Sequence, residues 1–402
     1  MRTTRFVAAA AAAALLLAGC GSQGSSGSGG PDQPLRVMIT GGLSAPGVLA
    51  ANAQTSVLAA RAGVEDINKA GGIGGRRVEL TVVDDTGDAT TAVTKLREAL
   101  ASKEKPDVFL NSGPSTIANA TLPILKQNKV LAFNVGPTKD SADPKQYPLN
   151  FDLSPGPQDQ LKGFIAHIKQ KGYASVGVIH GNSAYGQTFS ANAQDALTAA
   201  GITVVGNEQY DVSALDMTPQ LQSLQAKNPQ VLVVDAYGAP AGYLLQSLEK
   251  LGWNVPLLGD TSVSATSLVS TPPPGGILGT PQVANLLMQV FKSTSYDPAA
   301  DKVNNMVKTM SGLGQIPGNL ILAYNYDVFA LLAAAARDAG STETAALAKS
   351  LEKPAVQESA GTAVISRYNF TSESHEPAAD ADTFTFVAPS KILNGQFGHP
   401  GA

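Results

Sequence analysis

Short apolar runs alternate with helix-like segments along most of this chain, and this alternation constrains the fold more than any other feature. It occurs in two series, between residues 35 and 133 and between residues 161 and 258. The run Val231–Val234 is apolar throughout, as expected of a strand buried on both faces. A βαβα order predicts a parallel sheet with helices on both sides. The sequence therefore predicts an α/β protein with two similar lobes.

A proline-rich stretch separates the two series. Pro144, Pro148, Pro155 and Pro157 break the alternation, because proline lacks the N–H group that helices and sheets require. We therefore expect the chain to cross from the first lobe to the second near residues 150–157.

The C-terminal third is less regular. The pattern of residues 321–339 clearly predicts a helix. Two polar residues within it, Asn325 and Asp327, argue against a membrane span. The weakly alternating tail at residues 362–387 predicts edge strands. We assign to lobe 1 residues 35–150 and about 275–325, and to lobe 2 residues 151–274 and about 326–390.

The N-terminus has the pattern of a secretory signal. Arg2 and Arg5 precede a continuous apolar run that is too short to span a bilayer comfortably. Small residues then lead to Cys20, which resembles the lipobox of bacterial lipoproteins, in which this cysteine carries two acyl chains and anchors the protein stably. Residues 1–20 are thus predicted to be a lipoprotein signal and residues 21–34 a flexible tether. The alternative is an ordinary signal peptide followed by a buried cysteine.

Composition excludes several classes of protein. The 28 basic and 32 acidic residues give a formal charge of -4 without a long basic run, which argues against nucleic-acid binding. A single cysteine permits no intramolecular disulfide. The four histidines are scattered, so we expect no metal site and no cofactor.

Three separate stretches resemble one known family. They are VEDINKAGGIGGRRVELTVVDD at residues 64–85, the stretch from VGVIHGNSAYGQ to QVLVV at residues 176–234, and YNYDVFALLAAAA at residues 324–336. Together they resemble type I periplasmic binding proteins, in the leucine/isoleucine/valine-binding branch of ABC importers.

The resemblance implies two Rossmann-like lobes, each a parallel sheet flanked by helices, joined by three hinge crossovers. Such a protein lies outside the cytoplasm, closes over a small solute such as an amino acid, and delivers it to a membrane permease. We expect a monomer. A sensor that feeds a membrane signalling protein is an alternative, and so is a binding protein for an amide or small carboxylic acid.

Candidate binding residues in lobe 1 follow two strands. Ligands of open parallel sheets bind beyond the carboxyl ends of the strands, and a helix N-terminus attracts a carboxylate. Ser115 and Thr116 open a helix after one strand, and the resemblance implies that a serine here grips the ligand carboxylate. By the same resemblance, Gly136 and Thr138 contact the ligand after the next strand. The alternatives are an N-cap serine and a tight turn.

Candidate binding residues in lobe 2 are aromatic and acidic. The resemblance implies that Tyr185 and Tyr237 close over the ligand, although ordinary packing is the alternative. Amino-acid binders of this family carry an acid for the ligand ammonium after the strand that ends here in PLLGDTSV. Strict register places Thr261 at that position, with Asp260 one residue earlier.

Motifs for catalysis are incomplete. No P-loop sequence occurs, GGIGG is not a full dinucleotide-binding motif, and GNSAYG lacks the second glycine of a nucleophile elbow. The adjacent Asp84 and Asp85 are more typical of a solvated strand end than of a paired-carboxylate site. We therefore expect a binding protein and not an enzyme.

Overall fold

The structure is a computed structural model that describes residues 33–400. The predicted signal, Cys20 and most of the predicted tether lie outside the described residues.

The first lobe is built on a five-stranded parallel sheet with strand order β2-β1-β3-β4-β5. Its elements are β1 (Leu35–Gly41), α1 (Val48–Lys69), β2 (Val78–Asp84), α2 (Ala89–Ala101), β3 (Val108–Asn111), α3 (Ser115–Asn128), β4 (Leu131–Asn134) and β5 (Asn150–Asp152). Strand β1 lies between β2 and β3, with Val37 opposite Leu80 on one side and Val108 on the other. Apolar side chains cover both faces of this sheet, which explains the nearly continuous apolar runs in the sequence.

The second lobe repeats this topology. The elements that build it are α4 (Pro157–Lys171), β6 (Ser175–Gly181), α5 (Ala184–Ala199), β7 (Thr203–Tyr210), α6 (Thr218–Ala226), β8 (Val231–Val234), α7 (Ala239–Lys250), β9 (Leu257–Gly259), α8 (Thr261–Ser264) and β10 (Leu286–Phe291). The parallel order β7-β6-β8-β9-β10 is that of the first lobe, and one antiparallel strand is added beside β10. The predicted two-lobed α/β class is confirmed.

The C-terminal part of the chain passes between the lobes. It contains α9 (Asp301–Leu313), α10 (Asn325–Ala339), α11 (Thr344–Leu351), α12 (Pro354–Ala360), β11 (Phe384–Val387), β12 (Ile392–Leu393) and β13 (Gln396–Phe397). Helices α9 and α10 pack on α1 of the first lobe, whereas β11 pairs with β10 of the second. The chain therefore crosses between the lobes after β5, after β10 and before β11.

The predicted division of the C-terminal third needs correction at two places. Strand β10 was assigned to lobe 1, but it pairs in parallel with β9 of lobe 2. Helices α10 to α12 were assigned to lobe 2, but Phe329 of α10, Leu347 of α11 and Val356 of α12 are buried in the lobe 1 core. Both errors have the same cause: an apolar strand or helix can complete either of two similar cores.

Helix α10 also explains why the tail forms fewer strands than expected. The carboxylate of Asp327, buried in α10, accepts hydrogen bonds from the backbone N–H groups of Ala363, Val364 and Ile365 and from the hydroxyl of Tyr368. These N–H groups are therefore satisfied without a neighbouring strand. Only β11 forms at the sheet edge within the predicted region.

The segment Leu320–Ala339, which includes α10, is long and apolar enough to cross a membrane, but 78% of it is buried inside the fold. It is a core segment of the first lobe.

Candidate ligand-binding site

A cavity of about 840 Å³ lies between the carboxyl ends of the two sheets. In each lobe it adjoins the topological switch point, where successive connections leave the sheet in opposite directions and ligands of open α/β sheets bind. In lobe 1 this point lies between β1 and β3, and in lobe 2 between β6 and β8. The folding topology thus brings two such crevices face to face.

The lobe 1 wall contains the start of α3. Ser115 is the first residue of this helix, and both it and Thr116 line the cavity. The first N–H groups of a helix have no intrahelical partner and carry partial positive charge. Ser115 is 4% exposed, and its hydroxyl accepts a hydrogen bond of 3.3 Å from the backbone N–H of Tyr185 in the other lobe.

Gly136 lines the cavity beside α3, but Thr138 is not among the residues that line it. A Cβ at Gly136 would lie 2.7 Å from the backbone nitrogen of Ser115, so only glycine fits this close approach. Thr138 belongs instead to a turn in which its N–H donates to the Ser141 hydroxyl and its carbonyl accepts from the same hydroxyl. The structure therefore brings Gly136, but not Thr138, to the cavity.

The two predicted tyrosines line the lobe 2 wall. The hydroxyl of Tyr185 donates to Oε1 of Gln160 over 3.0 Å. The hydroxyl of Tyr237 accepts from Nδ2 of Asn52 in lobe 1 over 3.1 Å. Burial raises the pKa of both phenols. The two rings are held by hydrogen bonds at their tips and remain neutral hydrogen-bonding groups.

Asp260 does not face the cavity as the sequence suggested. It is fully buried, and its Oδ1 accepts from the N–H groups of Ser262 and Val263 at the start of α8. The next residue, Thr261, lines the cavity and donates from its hydroxyl to Oε1 of Gln160 over 2.8 Å. At the end of β9, the structure therefore brings Thr261, and not Asp260, to the cavity.

Asp235 lines the cavity and was missed by the sequence analysis. It follows β8 directly, next to the switch point, and its Oδ2 accepts from the N–H of Gly181 at the end of β6 over 3.1 Å. Asp235 is 4% exposed. The sequence did carry a signal, because Asp235 directly follows the buried run Val231–Val234 and the carboxyl ends of such strands are where ligands bind.

The carboxyl groups of Asp235 and Asp260 influence each other. Their strands are neighbours, and the N–H of Asp260 donates to the carbonyl of Val234. Burial raises the pKa of both carboxyls, and the charge of Asp235 raises that of Asp260 further. Each negative charge opposes the ionisation of the other carboxyl.

Gln160 is a second residue that the sequence analysis missed. It is fully buried at the start of α4, just after the first crossover. Besides accepting from Tyr185 and Thr261, it donates from Nε2 to the carbonyl of Pro155 over 2.9 Å. Gln160 therefore connects two cavity residues with the crossover. No sequence signal marks it, because these contacts exist only in the folded chain.

Metal chemistry finds no support in the arrangement of side chains. Within residues 33–400, no group of three or more His, Cys, Asp or Glu side chains is placed so that it could hold a metal ion.

Two doubly wound lobes around a shared cavity define the class of two-lobed solute-binding proteins. This chain belongs to the periplasmic binding protein family, which it matches over residues 40–388. Within that family it is a type I protein of the Leu/Ile/Val-binding branch. The family consists of extracytoplasmic solute-binding proteins and is generally non-enzymatic.

Relatives of known sequence span most of the chain. Leu/Ile/Val-binding protein homolog 3 of Brucella melitensis is 27% identical over 350 residues, which cover 85% of this chain and 90% of the relative. A Leu/Ile/Val-binding protein of Rhizobium johnstonii is 27% identical over 316 residues, which cover 76% of this chain and 81% of the relative.

Solved structures share the fold. A type 1 periplasmic binding protein from Bordetella pertussis has a TM-score of 0.75 at 20% identity, covering 89% of this chain and 96% of that one. A solute-binding protein of an ABC transporter from R. palustris, in complex with 4-hydroxybenzoate, has a TM-score of 0.67 at 17% identity, covering 80% of this chain and 85% of that one.

Proposed function

We propose that this protein is the lipid-anchored solute receptor of an ABC importer and that it binds a small polar metabolite by closure of its two lobes. The observation that carries this proposal is the cavity between the two facing switch points, lined by hydroxyls of α3 on one side and by two tyrosines on the other. Closure would remove most of a small ligand's surface from water.

An amino acid, branched-chain or other, is the ligand that the names of the relatives suggest. In this proposal Ser115 and Thr116, with the first N–H groups of α3, hold the ligand carboxylate. The backbone around Gly136 contacts the ligand from the same side. Tyr185 and Tyr237 cover it from lobe 2.

A different ligand is a second candidate, because the register of the resemblance puts Thr261, and not an acid, at the position of the family's acid. An amide or a small carboxylic acid would not need that acid. The complex of a structural neighbour with 4-hydroxybenzoate shows that this fold accommodates an aromatic acid.

A sensor that signals through a membrane protein would use the same ligand-driven closure. Neighbouring genes for a permease and an ATPase would support transport, whereas a neighbouring histidine kinase gene would support sensing. We favour transport because the relatives belong to the Leu/Ile/Val-binding branch.

The anchor in this proposal is a lipidated Cys20, with residues 21–34 as the tether. Fourteen residues span roughly 50 Å at full extension, so the lobes could turn toward a permease while they remain attached. The proposed partners are the permease subunits, and the proposed receptor is a monomer.

A thermal-shift screen of amino acids, amides and small carboxylic acids tests the proposed function. A ligand that binds only the folded protein raises its melting temperature once its concentration is well above the dissociation constant. Small-angle scattering with the compound that gives the largest shift should then show compaction. A verified ligand that is chemically changed by the protein, or that causes no compaction, would contradict the proposal.

A further inference from the structure

The cavity extends along one side of helix α7, well past the point where this helix begins. The residues of α7 that line the cavity share one side of the helix and are Ala239, Pro240, Gly242, Tyr243 and Gln246. The other side packs in the lobe 2 core through Ala241, Leu244, Leu245 and Leu248. Seven residues separate Ala239 from Gln246, which corresponds to about 10 Å along the axis of an α-helix. The cavity therefore runs beside α7 for about two helical turns.

A second wall of this part of the cavity comes from segment 268–282, which lies between α8 and β10 of lobe 2. Leu268, Ile277 and Gln282 of this segment line the cavity. A Cβ at Gly242 would lie 2.6 Å from Cδ2 of Leu268, so the segment packs directly on α7. The part of the cavity that α7 and this segment border is the lobe 2 compartment.

Hydrogen bonds hold the two walls of the lobe 2 compartment together. The N–H of Ile277 donates to the carbonyl of Leu268 over 3.0 Å, which closes the segment into a loop. Nε2 of Gln282 donates to Oε2 of Glu249 on α7 over 2.6 Å. Because both walls belong to lobe 2, rotation of one lobe against the other moves them together. The compartment is therefore a feature of lobe 2 itself and does not depend on how far the lobes have closed.

Uncharged side chains border the lobe 2 compartment. Among the described residues that line the whole cavity, Asp235 is the one with a charged side chain, and it follows β8 at the switch point, outside this compartment. Leu268, Ile277 and the ring of Tyr243 offer apolar surface. Burial of apolar ligand surface is favourable there, whereas a charged group would lose its hydration without gaining a partner. The compartment therefore suits an uncharged apolar tail.

The side chain of leucine is too short to fill this space. Three carbon–carbon bonds of about 1.5 Å lead from its Cα to its methyl groups, so it reaches less than about 5 Å. At about 30 Å³ for each of its nine non-hydrogen atoms, the volume of a water molecule in the liquid, leucine would occupy no more than about 270 Å³. The cavity holds about 840 Å³, although the lobes are already joined by the bond between Tyr185 and Ser115.

We propose that the ligand is a carboxylate with an uncharged apolar tail longer than the side chain of leucine, and that the lobe 2 compartment receives this tail. The inference rests on the proposed function, in which the start of α3 holds the carboxylate, and it narrows the choice of ligand. Amino acids with long side chains and simple long-chain carboxylic acids both have this chemistry.

Two homologous series test the inference by calorimetry on the full chain. One series contains straight-chain L-2-amino acids of five to ten carbons, and the other contains the straight-chain carboxylates from pentanoate to decanoate. L-leucine and 4-methylpentanoate are the branched references. In at least one series we expect affinity to rise about three- to fourfold for each added methylene until the compartment is filled. The series that binds more tightly identifies the head group.

The outcomes separate this inference from the proposed function. Affinity that stays level or falls beyond the length of leucine in both series would overturn the inference and leave solute binding intact. If neither the two series nor the thermal-shift screen yields a ligand, the proposed function is contradicted and this inference with it.

The variant Ile277→Trp provides the second arm, because the larger ring system fills part of the compartment. The gain in affinity from the five-carbon to the eight-carbon compound should be at least tenfold smaller than in the wild type. The matched control Leu313→Trp adds the same ring at an exposed position of α9 and should keep the full gain. Equal gains in Ile277→Trp and the wild type would overturn the inference, because the tail would then bind elsewhere.

Circular dichroism and the melting temperature of the free protein establish whether Ile277→Trp is folded. If it does not fold, Gln246→Trp takes its place, because Gln246 is exposed and lies on the side of α7 that lines the cavity. Its control is Gln194→Trp at an exposed position of α5. The same tenfold reduction of the gain is expected for Gln246→Trp, and a gain equal to that of Gln194→Trp would overturn the inference.

Discussion

The backbone N–H of Tyr185 donates a hydrogen bond of 3.3 Å to the hydroxyl of Ser115, and this bond joins the two lobes at the cavity. It connects the first turn of α5 in lobe 2 with the first residue of α3 in lobe 1. A second bond between the lobes, from Asn52 to the hydroxyl of Tyr237, lies at the same cavity. Three of the four residues in these two bonds, Ser115, Tyr185 and Tyr237, are therefore also proposed to hold the ligand.

Ser115→Ala should weaken ligand binding more than it weakens the fold. The lost hydroxyl contributes one hydrogen bond to a ligand carboxylate, which corresponds to about tenfold in affinity. The free protein loses only the bond from Tyr185, so its melting temperature should fall by no more than about 4 °C. Calorimetry and thermal unfolding measure the two effects.

The exposed Ser102→Ala, which loses only a local bond to the carbonyl of Ala99, is the matched control for Ser115→Ala. A lower melting temperature with unchanged affinity would instead assign Ser115 to packing.

Gln160→Met should destabilise the protein, although the two side chains have similar size. The hydroxyls of Tyr185 and Thr261 and the carbonyl of Pro155 would each lose a buried partner. We expect a loss of about 2–4 kcal/mol in the free energy of unfolding. Urea denaturation measures this loss, provided that the slope of the unfolding free energy against urea concentration is the same in both proteins.

Gln194→Met on α5 is the control, because it makes the same side-chain change at an exposed position. A loss below about 0.5 kcal/mol for Gln160→Met would show that these three groups find other partners and that Gln160 does not support the cavity.

Stability should fall as the pH rises from 6.5 to 8. Burial, together with the charges of Asp152 and Asp159, raises the pKa of Glu376 to about 8, and burial raises that of Asp152 to about 7. The folded state then binds protons more tightly than the unfolded chain, so the stability that these groups contribute is complete below their unfolded-state pKa values of about 4 and is lost progressively as the pH rises through their folded-state values. The expected change is about 1–2 kcal/mol. Thermal unfolding at a series of pH values measures it.

Glu376→Gln should remove much of this pH dependence. Glu376 packs against Gly156 in the first crossover, where a Cβ would overlap its carboxyl group. The exposed Glu104→Gln should keep the slope of the wild type. Equal slopes of stability against pH in the wild type, Glu376→Gln and Glu104→Gln would show that Glu376 titrates as an ordinary surface acid.

Cys20→Ser should release the protein from the membrane fraction. Two acyl chains on this cysteine are required for a stable anchor in our proposal, and serine cannot form the thioether. Cell fractionation followed by immunoblotting measures the distribution. The variant Ser25→Ala in the tether should stay with the membrane, and retention of Cys20→Ser there would contradict lipid anchoring.

The order of strands and helices could be predicted because it depends on local patterns. The predicted helices at residues 89–102 and 184–200 correspond to α2 (Ala89–Ala101) and α5 (Ala184–Ala199). Polar and apolar side chains repeat with the period of each element, and this repeat is readable without any partner.

The site was predictable only in part. Ser115, Thr116, Gly136, Tyr185 and Tyr237 line the cavity because they stand at the ends of strands or the starts of helices. Thr138 and Asp260 occupy similar positions in the sequence. Local hydrogen bonds, however, hold Thr138 in a turn and make Asp260 the N-cap of α8.

The sequence by itself determined two similar α/β lobes, each with a parallel sheet between helices, because hydrophobic period and strand ends are properties of short segments. Tertiary structure alone decided that β10 joins lobe 2, that α10 joins lobe 1, and that Asp235 and not Asp260 faces the cavity. The physical reason is that each of these choices depends on which distant segment offers the better partner. A shift of one residue at a strand end is enough to exchange a side chain that faces a ligand for one that is buried behind it.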